Sequence, residues 1–231
     1  MRMQNIQEGM AGFRRWLQSP DAREPLHRWE TLRIFQENWD LEAPDFAAMY
    51  DRSLDNPRTR RLWKADNYDP KGMMLRFIAL EPEFVRTMFR DLFNEARDIE
   101  GRLDRFRYHC DELLAAWRER NPLAPQNRHF HDDDHRMASL YLALRYPERY
   151  APHDFPTFTA ALKALQARNV PPVPDMERFF KVMRTLHTLL AKDPEIIRLH
   201  RARLRKGVHY PGDSLLLAEE FCRFVAHRAQ P

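Results

Sequence analysis

Apolar residues recur at helical spacing along almost the whole of this chain, and prolines cut that rhythm into short lengths. Ile6, Met10, Phe13 and Leu17 follow the i, i+4, i+7, i+11 stripe of an amphipathic helix, with Trp16 beside them, and Ser19-Pro20 stops it. The rhythm resumes at Leu32, Phe35 and Trp39. It appears again at Phe46, Met49, Tyr50 and Leu54, before Asn56-Pro57. Glu81-Pro82-Glu83 is a start signal, because proline in a first turn gives up no hydrogen bond and acids there complement the helix dipole. Phe84, Val85, Met88, Leu92 and Phe93 are expected to follow as its buried stripe. A longer helix is expected from Ile99 to Trp117, ended by Asn121-Pro122 and Pro125. Further helices are expected at Arg136 to Leu144, Phe158 to Leu165, Met176 to Leu190, Pro194 to Arg205 and Asp213 to Val225, with Asp193 and Asp213 as N-caps. Val170 to Pro174 reads as a stiff linker, since consecutive prolines hold an extended backbone. No segment alternates like a strand, and no long repeat is present. The expectation is an all-α, multi-helix globular fold. It is either two helical subdomains, 1–125 and 126–231, meeting near residue 125, or one continuous domain.

With 231 residues, 43% of them apolar and 12% aromatic, the chain can bury a sizeable core without cross-links. Cys110 and Cys222 fall among apolar helical positions, which suits buried thiols in a reducing compartment. There is no signal-like apolar run at the start and no uncharged stretch of about 18 residues that could span a membrane. A soluble, cytoplasmic protein with no membrane partner is expected.

Charge is mixed, 38 Lys and Arg against 34 acids for a net +4, so position matters more than total. Arg198, Arg201, Arg203, Arg205 and Lys206 form one acid-free run, and Arg58, Arg60, Arg61 and Lys64 a second. Such runs suit phosphate backbones; each could equally be a solvated helix face. Trp63 stands between the second set of cations, a combination able to stack on bases and grip phosphate. Trp16, Trp29, Trp39 and Trp117 are further candidates to hold an extruded base, although Trp29, Trp39 and Trp117 lie on apolar faces where packing accounts for them.

The run His129-Phe-His131-Asp132-Asp133-Asp134-His135 has the donor density of a metal site. His131 and His135 would share one face if a helix had already begun there, with Asp132 and Asp134 as carboxylate ligands. Against this, the run leaves a proline-rich loop, and acids just ahead of a helix serve as caps. No nucleophile elbow is present, and both cysteines read as core thiols. Asp40 reads as the cap of the helix after it. Arg86 reads as an internal anchor to Asp45 or Glu83, and Arg145 as a partner for the last carbonyls of its helix.

One extended pattern resembles a known family. It comprises Trp29-x5-Phe35-Gln36-x2-Trp39-Asp40-Leu41-x-Ala43-x-Asp45-Phe46-x2-Met49-Tyr50, then Tyr68-x-Pro70-x2-Met73-Met74-x2-Phe77, then Glu81-Pro82-Glu83-x-Val85-Arg86-x-Met88-Phe89-x2-Leu92-Phe93. It continues through Ser139-x-Tyr141-Leu142-x-Leu144-Arg145-Tyr146-Pro147-x2-Tyr150 to Tyr210-Pro211, Leu215 and Phe221. This resembles the helical N-terminal region that precedes the motor in McrB-like restriction ATPases, the AAA+ GTPases acting in cleavage of modified DNA. The motor is missing, since no Gly-x4-Gly-Lys-Ser/Thr loop occurs. The resemblance implies an accessory module in restriction or antiphage defence; with no convincing catalytic motif in the chain, a non-catalytic role without a cofactor is expected. It would contact DNA, with or without modified bases, and could work with an AAA+ GTPase or nuclease component in cis or in trans. Two alternatives remain at this level: a protein-docking module on such a partner, and a metal-dependent hydrolase centred on His131, Asp132, Asp134 and His135.

Overall fold

Among the described residues six aspartates cap six helices, and they explain why those helices begin where they do. In the computed structural model, residues 1–56, 60–63, 67–132 and 134–228 are described, with backbone alone for residues 60 and 61. Among them the chain is all-helical, with no strand. The order is α1 (Met3–Leu17), a 3-10 stretch (Pro20–Leu26), α2 (His27–Asn38), α3 (Phe46–Ser53), α4 (Arg60–Trp63), α5 (Pro70–Leu80) and α6 (Pro82–Leu92). Then come α7 (Ile99–Arg120), α8 (Arg136–Arg145), α9 (Phe155–Ala164), α10 (Met176–Ala191), α11 (Pro194–Arg203) and α12 (Leu216–Arg228). Asp45, Asp69, Asp98, Asp154, Asp175 and Asp193 each accept a backbone N–H from the first turn of α3, α5, α7, α9, α10 and α11. Each satisfies an otherwise orphan donor and places negative charge at the positive end of the helix dipole.

Two expected caps are displaced. Asp40 accepts the N–H of Glu42 at 2.9 Å within a turn, and Asp45 caps α3 instead. At the last helix, Ser214 Oγ accepts from Leu216 N at 3.1 Å, so α12 starts after Asp213. Arg145 does not close its own helix: its guanidinium lies over the Tyr146 ring, and Gln36 Nε2 donates to the carbonyls of Leu144 and Arg145. Arg86 does act as an anchor, to Glu83 at 3.2 Å and to the carbonyls of Leu41 and Ala43, with Phe46 under its plane rather than Asp45 beside it.

The core is organised around α8, whose residues Met137 to Leu144 are all buried. A helix apolar on every side has no face to give to solvent and must be surrounded. Phe89 of α6 sits beside it, with ring centroids 5.1 Å from Tyr141 of α8, 5.3 Å from Phe106 of α7 and 5.1 Å from Trp39 at the end of α2. Helices from both sides of residue 125 share this core: α2 packs on α8, α7 on α10, and α1 on both α11 and α12. The α1–α12 approach is close, since a Cβ on Gly9 would lie 3.1 Å from the Phe221 ring. Cys110 and Cys222 are free and buried.

Because Phe89 is fully buried where five elements meet, Phe89→Ala is expected to cost about 3–5 kcal/mol, the usual range for removing a core phenylalanine. Urea unfolding measures it. A cost below about 1 kcal/mol, as for a surface site, would mean that this ring is not the centre of the packing.

Candidate nucleic-acid interface

α12 carries two adjacent carboxylates, Glu219 and Glu220, into the interior, where an unpaired charge would be very costly. Glu219 receives Arg28 of α2 and Arg223 of its own helix. Glu220 receives Arg203, from the last turn of α11, in a two-pronged pair with one arm at 2.9 Å. The same guanidinium donates to the carbonyl of Ala22 at 2.6 Å and to Nδ1 of His200 at 3.0 Å, and lies over the rings of Trp29 and Trp16. Burial pushes the Glu220 carboxyl above its ordinary range, and Arg203 opposes that shift. Burial, with the Arg203 charge adding to it, holds His200 down at about 3. His200 is therefore neutral and accepts through Nδ1.

These pairs border a cleft of about 910 Å³, between the α1 and 3-10 segment on one side and α9 and α12 on the other. Trp16 and Phe224, with ring centroids 5.8 Å apart, form an aromatic wall. Arg28, Arg223 and Arg228 bring cations to the lining, and Asp21 brings an exposed carboxylate. Such a lining offers a flat apolar face, donors and an acceptor together.

The structure divides the sequence-derived basic run. Arg201, Arg205 and Lys206 are exposed, and no ion pair involves them among the described residues. Arg198 is exposed but held by Glu195 through two hydrogen bonds of 2.7 Å each. Arg203 is a correction: its side chain is 5% exposed and fully engaged with Glu220, so it is a structural residue and not a phosphate contact. Trp63 is a second correction. It is 2% exposed and belongs to the core, leaving no face on which a base could stack. Arg58 and Lys64 lie outside the described residues. Arg60 and Arg61 begin the short α4, with only their backbone described. Of the other tryptophans, Trp29 is buried, Trp39 is packed between Phe35 and Phe89, and Trp117 lies under Arg76; Trp16 reaches the cleft. Sequence reasoning missed Phe224, Arg223 and Arg228. The signal was an aromatic flanked by arginines on α12, invisible until α1 supplied the opposite wall.

The histidine run does not form the expected metal site. α8 begins only at Arg136, and His135 precedes it with a left-handed φ of 53°, so His131 and His135 are not one helical turn apart. Asp132 pairs with Arg128, and Asp134 accepts the N–H of Arg136 at 3.0 Å. Asp133 lies outside the described residues. Among the described residues, the group with ligand atoms all within 4.8 Å is instead Cys110, His129 and His131.

Its hydrogen bonds already use the ring nitrogens. His129 Nδ1 accepts from the His131 backbone N–H at 2.9 Å, so its Nε2 carries the proton and donates to Asp111 at 2.9 Å. His131 Nδ1 donates to the His129 carbonyl at 2.7 Å, and its Nε2 accepts from the Tyr141 hydroxyl at 3.2 Å. Tyr141 in turn accepts from Tyr50 at 2.7 Å. An ion would have to break this chain to reach His129. The arrangement is a satisfied polar core, with burial, aided by His129, holding His131 at about 3.

Comparison with known proteins returns no match: no family model, no curated protein and no solved structure matches the chain.

Two outcomes follow from these networks. Glu220→Ala strands the buried Arg203 and is expected to cost about 3–5 kcal/mol, whereas Arg201→Ala and Arg205→Ala stay within about 0.5 kcal/mol. Equal, small costs in urea unfolding would mean that Arg203 and Glu220 are solvated. The second outcome concerns pH. His131 and His200 have folded values near 3 against an ordinary 6.5, so between those limits the unfolded chain binds protons that the folded chain does not. Stability therefore rises with pH across that window, by up to about 1.4 kcal/mol per unit for each histidine. The buried His153 and the half-buried His187 are shifted in the same direction by burial. Unfolding midpoints that stay flat between about pH 5 and 6.5 would contradict the neutral, buried histidines.

Proposed function

We propose that this protein is a non-catalytic helical module that binds duplex DNA, acting in restriction or antiphage defence as its resemblance to the N-terminal region of McrB-like ATPases implies. One observation carries the reading: Arg201, Arg205 and Lys206, exposed and without an ion pair among the described residues, flank Arg203, the residue that joins Trp16 to Glu220 at the edge of the cleft. In this reading the three exposed cations contact phosphates, and the Trp16–Phe224 wall receives a base turned out of the duplex. Base extrusion needs an aromatic or apolar surface to replace lost stacking and polar groups to meet the exposed edge. Asp21 can accept from an exocyclic amine such as that of cytosine, which supports a base of that class. The non-catalytic part is supported by the two cysteines, whose thiols are buried and pushed well above their ordinary range by desolvation, the opposite of an activated nucleophile. An AAA+ GTPase or nuclease partner, in cis or in trans, would supply cleavage.

A second reading, docking on such a partner without DNA contact, is favoured by exposed apolar residues away from the cleft, above all Leu123 at 98% exposure. Fluorescence anisotropy separates the two. Labelled duplexes, unmodified or carrying methylated or hydroxymethylated cytosine, are titrated across a salt series. DNA binding is expected to weaken with salt, and R201E/R205E/K206E to reduce the slope by about 0.9 for each phosphate that the variant no longer neutralises. Trp16→Ala is expected to remove preference for a modified base while leaving the salt slope intact. Unchanged binding in the triple variant, or no binding even at low salt, overturns the DNA reading.

A further inference from the structure

A second pocket, about 790 Å³, lies away from the cleft where the start of α1, the end of α9 and the first turns of α10 meet. Three arginines, Arg2, Arg168 and Arg178, line it over a floor that includes Leu162 and Val182, and no carboxylate is among the lining residues. Each arginine is placed by backbone rather than by a counter-charge. Arg2 is the N-cap of α1, and its N–H donates to the Leu165 carbonyl at 3.1 Å, which ties the start of α1 to the end of α9. Arg168 follows the turn at Gln166, whose φ of 49° reverses the chain after α9. Arg178 stands in the opening turns of α10, its backbone N–H held by Asp175 at 2.9 Å and its guanidinium donating to the Asn169 carbonyl.

None of the three forms an ion pair among the described residues. This contrasts with Arg28, Arg203 and Arg223, which are all matched to acids. The first turn of α1, next to the pocket, has no side-chain cap and no acid, so the positive end of its dipole adds to the same field. Cations brought together without counter-charge repel one another, and a ligand anion removes that repulsion. Guanidinium groups reach phosphate oxygens with paired N–H donors, and the pocket's size falls within the range of small-molecule sites.

We propose that this pocket binds the phosphate or diphosphate group of a small soluble ligand, held by Arg2, Arg168 and Arg178. The test uses the full chain with pyrophosphate as the probe, by calorimetric titration at low ionic strength with sodium chloride as the ionic-strength control. Saturable binding is expected. Arg168→Glu, an exposed substitution past the end of α9, is expected to weaken it about 10- to 100-fold, as removal of a charge-assisted hydrogen bond does, with an unchanged unfolding midpoint. Arg168→Lys is expected to recover part of the affinity. Parallel arms carry phosphatidylcholine vesicles containing phosphatidic acid, and duplex DNA. No saturable pyrophosphate binding, or equal binding by Arg168→Glu, overturns the proposal. Vesicle binding without pyrophosphate binding overturns it in favour of a lipid surface. Loss of DNA and pyrophosphate binding together in Arg168→Glu overturns it as a separate site. Loss of pyrophosphate alone supports it, whatever the DNA result of the unaltered protein.

Discussion

Two neighbouring carboxylates on one buried helix set the terms for the rest of the molecule. Glu219 and Glu220 cannot remain charged inside without partners, and the chain supplies them from distant segments: Arg28 of α2, Arg203 of α11 and Arg223 of α12 itself. Breaking a buried pair leaves an uncompensated charge, so the pairs fix how α2 and α11 meet the last helix more strictly than apolar packing alone. Apolar contact is non-directional; a guanidinium facing a carboxylate is not. The same geometry opens the cleft, because α1 rests on Phe221 and Val225 across Gly9 while Trp16 and Phe224 turn toward the gap.

Besides these ion pairs, the interior holds a hydrogen-bonded chain of aromatic side chains around the start of α8. Tyr50, Tyr141, His131 and His129 form a directional chain ending at Asp111, whose carboxylate is largely exposed. Burial raises both tyrosines and lowers His131, so every link keeps its proton where the hydrogen bond needs it. Residues that look like catalytic or metal-binding candidates by type serve here to position the loop before α8. That loop must be well fixed, since α8 is enclosed on all sides.

What remains for recognition is a matter of which cations are left without acids. Arg28, Arg203 and Arg223 are matched by Glu219 and Glu220, and Arg198 by Glu195. Positive charge without an ion pair among the described residues then includes two groups: the end of α11 near the cleft, and the arginine pocket between α1, α9 and α10. Both face solvent, where a polyanion or a small phosphorylated ligand can reach them, and both lie on elements held in place by the interior. The two differ in form. The first is an exposed edge beside an aromatic wall, suited to an extended backbone; the second is concave, suited to a compact group.

Much of the fold was legible in the sequence because helix formation and capping are local. The apolar stripe from Val85 to Phe93 and the prolines at 82 and 194 announced helices that formed, although Phe84, expected in that buried stripe, faces solvent, and α5 was not expected. Ile6 to Leu17 became α1, begun three residues earlier than its stripe, and Asp193 became a cap. Even the burial of α8 is written in its composition, which has no charge between Arg136 and Arg145. The site was far less legible. Arg201 and Arg203 look alike in sequence, yet one is exposed and the other is matched to Glu220, because matching depends on which helix folds back against α11. Trp63 sits among cations in sequence and among apolar side chains in space. His131 was separated from His135 by the late start of α8 and joined instead to Cys110 and Tyr141. Sequence by itself determined where the helices are, since a residue's spacing and its cap act within a few positions. Only the tertiary structure decided which charges and rings face solvent, since desolvation and pairing depend on neighbours that are remote along the chain.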